Sequence, residues 1–137
     1  MTAATTSLAT PSREIGLIYV LLAAAAVALE GTLAFVDTDG YGSSTPSTGC
    51  KCVGVWDNSA ENTTATDGAV GIQARHGRQF LLRNDTADPV TQAHLFGDVY
   101  AVDNQTVSPD SDTGARPKVG RFVGFDTDTT ALWVEIV

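Results

Sequence analysis

From Ile15 to Leu29 the chain carries no charge, and most of that stretch reads LIYVLLAAAAVAL. A segment this apolar has to be kept from water, so its fate constrains everything else. A helix crossing a bilayer needs about 20 consecutive apolar residues, more than this run offers. A secretion signal is the stronger rival: Arg13 supplies a positive flank, and Ala26–Ala28 resembles a small-residue cleavage site. Glu14 cancels Arg13, however. The expectation is an uncleaved, buried or interfacial element of a soluble protein. The second half of the run reads as strand, because Val27 and Leu29 alternate with Ala28 and Glu30 in phase with Leu33 and Phe35. Leu21–Ala26 has high helix propensity, and periodicity leaves helical and extended alternatives open there.

The rest of the chain points to β structure. Its 137 residues suffice for one domain with a real core. Short Val-, Thr- and aromatic-rich runs are separated by Gly, Asp and Asn turns, the punctuation of strands. The spacing predicts a strand at GTLAFVD and another in CKCVGVWD. It predicts a hairpin in which Val70, Ile72 and Ala74 lead into a His76–Gly77 turn and Phe80–Leu82 return. A last hairpin comprises VGRFVGFD and ALWVEIV, with Leu132, Val134 and Ile136 on one face and Trp133 and Glu135 on the other. GTLAFVD (31–37) lines up with GDVYAVD (97–103), and VGVWD (53–57) with VGFD (123–126). Two such units can bury each other's apolar faces, which favours a small barrel or sandwich. Residues 1–13 are small, polar and aperiodic, an extended N-terminal arm that needs a neighbouring chain to hold it still. Residues 14–137 are then a single all-β domain with a weak internal repeat over 31–57 and 97–126.

Sixteen acidic residues against eight basic ones set a net charge of −8. That argues against wrapping nucleic acid, which needs basic residues to displace counterions. No constellation for catalysis stands out. Cys50 and Cys52 fall on one strand face, too close in sequence for an easy disulfide and two ligands short of a zinc site. His76 and His94 sit at turns without a paired nucleophile. DTDG at Asp37–Gly40 and DTDTT at Asp126–Thr130 look like parts of calcium loops but lack the remaining ligands, and Asp in tight turns more often caps the backbone. Asn62, Asn84 and Asn104 begin Asn-x-Thr triplets, which a Thr-rich chain produces by chance. The expectation is a protein without enzymatic activity, cofactor or metal. Arg75, His76, Arg78 and Arg83 form the one basic cluster, readable either as solvated charges or as a docking patch for an acidic neighbour.

The order of these pieces resembles a known family. It runs from the IYVL-to-Ala region through FVDTDGY, CVGVWDNS, ARHG, DPVTQAHLFGDVYAVDNQTVS and VGRFVGFD to the WVEI ending. That order is similar to the decoration, or cement, proteins of tailed-bacteriophage heads, over about Ile15 to Ile136. The resemblance implies a β-barrel-like subunit, usually trimeric, on the outer surface of the capsid, where it stabilises the shell by bridging major capsid protein subunits. The partners it implies are the major capsid protein and the sister subunits, with neither nucleic acid nor membrane involved. Interface candidates are Thr5, Leu8, Pro11, Arg13 and Ile15 on and beside the arm, Tyr19 in the apolar run, and Arg75, Arg78 and Arg83. Other readings are a secreted or cell-surface β domain with a cleaved signal peptide, another phage part such as a connector or tail component, and a barrel-mouth enzyme or ligand binder using His76 or Asp37.

Overall fold

A computed structural model describes residues 3–7, 9–12 and 16–137. The domain is all-β and built from two sheets. The first has five strands in the order β1 (Leu17–Leu21), β7 (Gly71–Arg75), β5 (Lys51–Trp56), β3 (Leu33–Val36), β4 (Gly42–Ser43). The second closes into a five-stranded barrel of β8 (Arg78–Asn84), β9 (Asp98–Ala101), β10 (Thr106–Ser108), β11 (Lys118–Phe125) and β12 (Ala131–Ile136). Parallel pairing of β10 with β8 completes the ring. A two-stranded ribbon, β2 (Val27–Ala28) with β6 (Ala60–Glu61), stands beside the first sheet.

Two cores result, and β3 and β5 serve both. Leu33, Phe35 and Val55 turn towards the barrel, whose interior is filled by Phe80, Leu82, Val99, Val107, Phe122, Leu132 and Val134. Ala34 and Trp56, on the opposite face of the same strands, join Val20, Leu22, Ala28, Ile72 and Ala74 in a second cluster. Alternation along a strand sends neighbouring side chains to opposite faces, so a run apolar at every position, such as Leu33–Val36, is what two-sided burial requires.

From Gly16 onward the apolar run roofs this second core. It is β1, a tight turn and β2, with no helix. Ala26 N–H donates to Ala23 C=O at 3.1 Å, and Ala25 takes a positive φ of 56°. Propensity lost to packing: Leu22 is fully buried and makes a parallel bridge to Gly42 at the sheet's far edge. Its phase departs from expectation. Gly31, at φ 80°, helps turn the chain between Leu29 and Thr32. Val27 and Leu29 therefore face solvent while Ala28 is buried. Because Val20, Leu22 and Ala28 are core residues, cleavage after Ala28 would unroof the second core. No helix among the described residues is long and apolar enough to cross a membrane.

Asn62 fastens the roof. It is fully buried, and its Nδ2 donates to the carbonyls of Leu22, Ala23 and Thr66 at 3.4, 3.1 and 2.9 Å. Its Oδ1 accepts from the Thr64 N–H and hydroxyl. The first Asn-x-Thr triplet is thus an internal clamp. The second is similar: Asn84 Nδ2 bonds Val90 and Thr129 carbonyls, tying two loops at one end of the barrel.

The expected hairpin from Val70 to Leu82 does not form. β7 pairs with β1 and β5, whereas β8 pairs with β12 and β10, so His76–Gly77 carries the chain from one sheet to the other. A two-residue link suits a hairpin locally, but here Gly77 N–H donates to Ile136 C=O and His76 N–H to Gly16 C=O, partners in different sheets. The last hairpin is as expected, β11 against β12, with Leu132, Val134 and Ile136 buried. The repeated segments lie in equivalent pairs, β3 with β5 and β9 with β11, one per sheet, but their registers differ. Ala34 faces Gly54, whereas its counterpart Tyr100 faces Lys118, six residues before Gly124.

Two substitutions test this architecture. A Cβ on Gly54, whose φ is 152°, would lie 1.9 Å from the Arg75 carbonyl oxygen, while one on Gly124 at φ 128° meets open space. Gly54→Ala should therefore lower the urea-unfolding free energy by about 3 kcal/mol or more, and Gly124→Ala by only about 1 kcal/mol from backbone strain. Asn62→Ala removes every hydrogen bond of the clamp and leaves a cavity in its place, while Leu22, Ala23 and Thr66 carbonyls each keep one other donor; it should cost about 2–4 kcal/mol by the same measurement.

Candidate functional site

The arginine cluster seen in sequence is dispersed by the fold. Arg75 Nε lies 3.6 Å from an Asp57 carboxylate oxygen, and its guanidinium sits over the Phe80 ring at 5.7 Å, so it is a seam residue between the sheets. Arg78 is exposed at the first position of β8, beside Gly16. Arg83 is exposed near the other end of that strand, about 17 Å away at the usual strand rise. Of the arm candidates, Thr5 and Pro11 are exposed and outside regular structure. Leu8, Arg13 and Ile15 lie outside the described residues. Tyr19 is on β1 and 64% exposed, its ring laid across Gly71 of β7.

The groups considered for chemistry are engaged in turns and packing. Asp37 Oδ1 accepts from the N–H groups of Asp39 and Tyr41, and Asp103 Oδ1 does the same for Gln105 and Thr106. Asp128 accepts from the Thr130 hydroxyl and N–H, which hold its carboxyl below the usual range. Among the described residues no three His, Cys, Asp or Glu side chains converge as metal ligands. His76 Nδ1 contacts the Val53 carbonyl at 2.8 Å, and His94 Nδ1 accepts from Thr91 N–H at 2.9 Å.

Cys50 and Cys52 enter the barrel-facing core together. Burial pushes the Cys52 thiol up to about 12, against a smaller lowering by hydrogen bonding with the Gly54 backbone and with a small further rise from Cys50. A thiol protonated this firmly is a poor nucleophile and metal ligand.

Two surface features missed by sequence reasoning stand out. The first is the outer strand β1. Gly16 C=O accepts from His76 N–H and Leu22 N–H donates to Val70 C=O, so even-numbered residues direct their backbone groups at β7. Leu17 and Tyr19 direct theirs outward, where no described strand pairs with them, and the side chains of Leu17, Tyr19 and Leu21 are all exposed. Alternation was the available signal, masked by apolar residues on both faces. The second is a groove of about 570 Å³ at the seam between β5 and the barrel, lined by Lys51, Lys118, Arg121, Asp98, Glu135 and both cysteines, among others. At its rim Phe96 adopts φ 64° with 64% of its surface exposed, its ring under the Arg121 guanidinium at 5.5 Å. A left-handed backbone costs a side-chain-bearing residue roughly 1–2 kcal/mol. Two hydrogen bonds enforce it, Phe96 N–H to Phe122 C=O and Phe122 N–H to Gly97 C=O. The sequence signal was the placement of both lysines of the chain, Lys51 and Lys118, which sequence distance separates and the fold unites.

No family model, curated protein or solved structure matches this chain.

A raised thiol pKa makes a signed prediction. The neutral thiol is favoured by folding, so its contribution is complete below pH 9 and is lost as pH rises towards 12. The melting temperature should fall over that window, and Cys52→Ala should flatten the decline relative to the parent. Equal slopes in the two proteins would refute this.

Proposed function

We propose that this chain is a structural virion protein that binds the outside of a phage capsid and stabilises the shell by bridging major capsid protein subunits, acting as a homotrimer. The reading rests on the sequence resemblance, and the observation that carries it physically is β1. Folded proteins blunt exposed sheet edges with charges, prolines or covering segments. Here the outer strand is LIYVL, uncharged and apolar, and the exposed residues of the arm come shortly before it in the chain. Such an edge is suited to pairing with another chain, and the arm can extend that contact.

The mechanism is mechanical. A packed genome pushes shell subunits apart, and a trimer bound at several points requires more than one contact to break at once. Linking modest contacts raises the effective concentration of each. The barrel interior is filled by side chains, so no catalytic role is assigned. The secreted alternative is disfavoured because its signal segment forms the roof of a core.

Purified protein should co-sediment with empty heads and raise their resistance to heat or osmotic shock. Deleting residues 1–13, or replacing Tyr19 with Lys, should reduce head binding at least tenfold while leaving the monomer's melting temperature within a few degrees. Arg78→Glu tests the docking role of the exposed arginines, since Arg75 is tied into the fold. Retained binding by all three variants would sink this reading.

A further inference from the structure

We propose that the Lys51–Lys118–Arg121 groove and the Phe96 ring beside it form one docking face for an extended, acidic segment of a partner protein that carries an apolar side chain. This deepens the capsid reading by naming a second face, besides the β1 edge, that meets the shell, and rests on that reading only for the partner's identity.

Three independent observations converge there. The chain is strongly acidic, with a net charge of −8, yet its two lysines and one of its six arginines line this one groove. Asp98 pairs with Lys118 at 3.1 Å and Glu135 with Arg121 at 2.8 Å. Lys51 has no carboxylate within ion-pair distance among the described residues, so one cation is left to offer. The paired cations keep donors of their own. In an acidic surround, Lys51 offers an approaching carboxylate an uncommitted partner beside two further cations.

The second observation is Phe96. A bulky residue in the left-handed region is strained, and strain persists where surrounding structure imposes it. The hydrogen bonds to Phe122 impose it here and leave the ring in water. Arg121 lies over that ring and also lines the groove, joining the two features. Phe and Arg are both residue types enriched at protein interfaces relative to the rest of the surface. Leu95, the residue before Phe96, is 37% exposed.

The third is the shape. The groove follows the seam between β5 and the barrel strands, and a cavity of about 570 Å³ fits a few side chains of a bound segment. A knob beside a groove suits a polypeptide better than a small molecule, because a small ligand inside the groove would leave the Phe96 ring unused. Carboxylates of the bound segment would meet Lys51 and the outer donors of Lys118 and Arg121, and its apolar side chain would cover Phe96.

The test uses fluorescein-labelled decapeptides alternating Asp or Glu with Leu, Val or Phe, and a matched panel with Lys replacing the acids. Anisotropy should report binding of the acidic panel that weakens as salt is raised, and none of the lysine panel. Phe96→Gly should raise the melting temperature by relieving the backbone and at the same time weaken binding at least tenfold. Lys51→Glu should weaken it at least fivefold with an unchanged melting temperature. A purely structural Phe96 would give the opposite, lower stability and intact binding, and would overturn the proposal. So would absence of acidic-peptide binding at millimolar concentration, or self-association abolished by the same variants, which would assign the face to a second copy. Peptide binding without head co-sedimentation would support this face while removing the capsid reading. Head binding that both variants retain would do the reverse.

Discussion

The β3–β5 pair is the constraint on which the structure depends. It is the wall between two cores, apolar on both faces, and neither core is closed without it. Two sheets can share a wall only if it is thin, which is why small residues recur where backbones approach: Gly54 lies against the Arg75 carbonyl, and Gly42 lies under the Trp56 ring. The Leu33 N–H also reaches across to the Asn104 carbonyl in the β9–β10 turn at 2.8 Å, stitching the first sheet to the barrel. Alternation thus carries two jobs along one strand, and a one-residue slip would exchange the contents of both cores.

Around this wall, much of the acidic and amide composition is turn chemistry. Asp37, Asp103 and Asp128 each accept backbone N–H groups within their own turns, and Asn62 and Asn84 satisfy carbonyls of segments distant in the chain. With strands this short, turn and loop backbone needs partners that the ladders do not supply. Part of the negative charge follows from that need. A chain rich in such turns looks like a scatter of broken metal loops when read by motif.

The surface carries what the interior does not use. An uncharged outer strand, a groove lined by charges of both signs and an exposed aromatic lie on a fold whose buried Cys52 thiol is held firmly protonated. On the proposed reading, such a scaffold performs its work by being held against something else. Short turns and two interlocked cores suit the proposed role of transmitting load between neighbours, since side chains packed at interior density yield little before contacts break.

The all-β class, the turn position at Asp37 and the facing of Leu132, Val134 and Ile136 were legible because each depends on residues within a few positions of one another. Period-two alternation and Asx turns are local signals. The fate of Leu21–Ala26, the divergence of β7 from β8 at His76–Gly77, the scattering of Arg75, Arg78 and Arg83, and the union of Lys51 with Lys118 were not. Each depends on which distant strand supplies the opposite hydrogen bonds. A dipeptide such as His-Gly reverses the chain equally well whether its flanking strands pair together or part. Sequence alone determined that this chain makes short strands and tight turns. Tertiary structure decided which strands meet, because backbone donors and acceptors are chemically identical at every residue and only the joint packing of two cores selects among them.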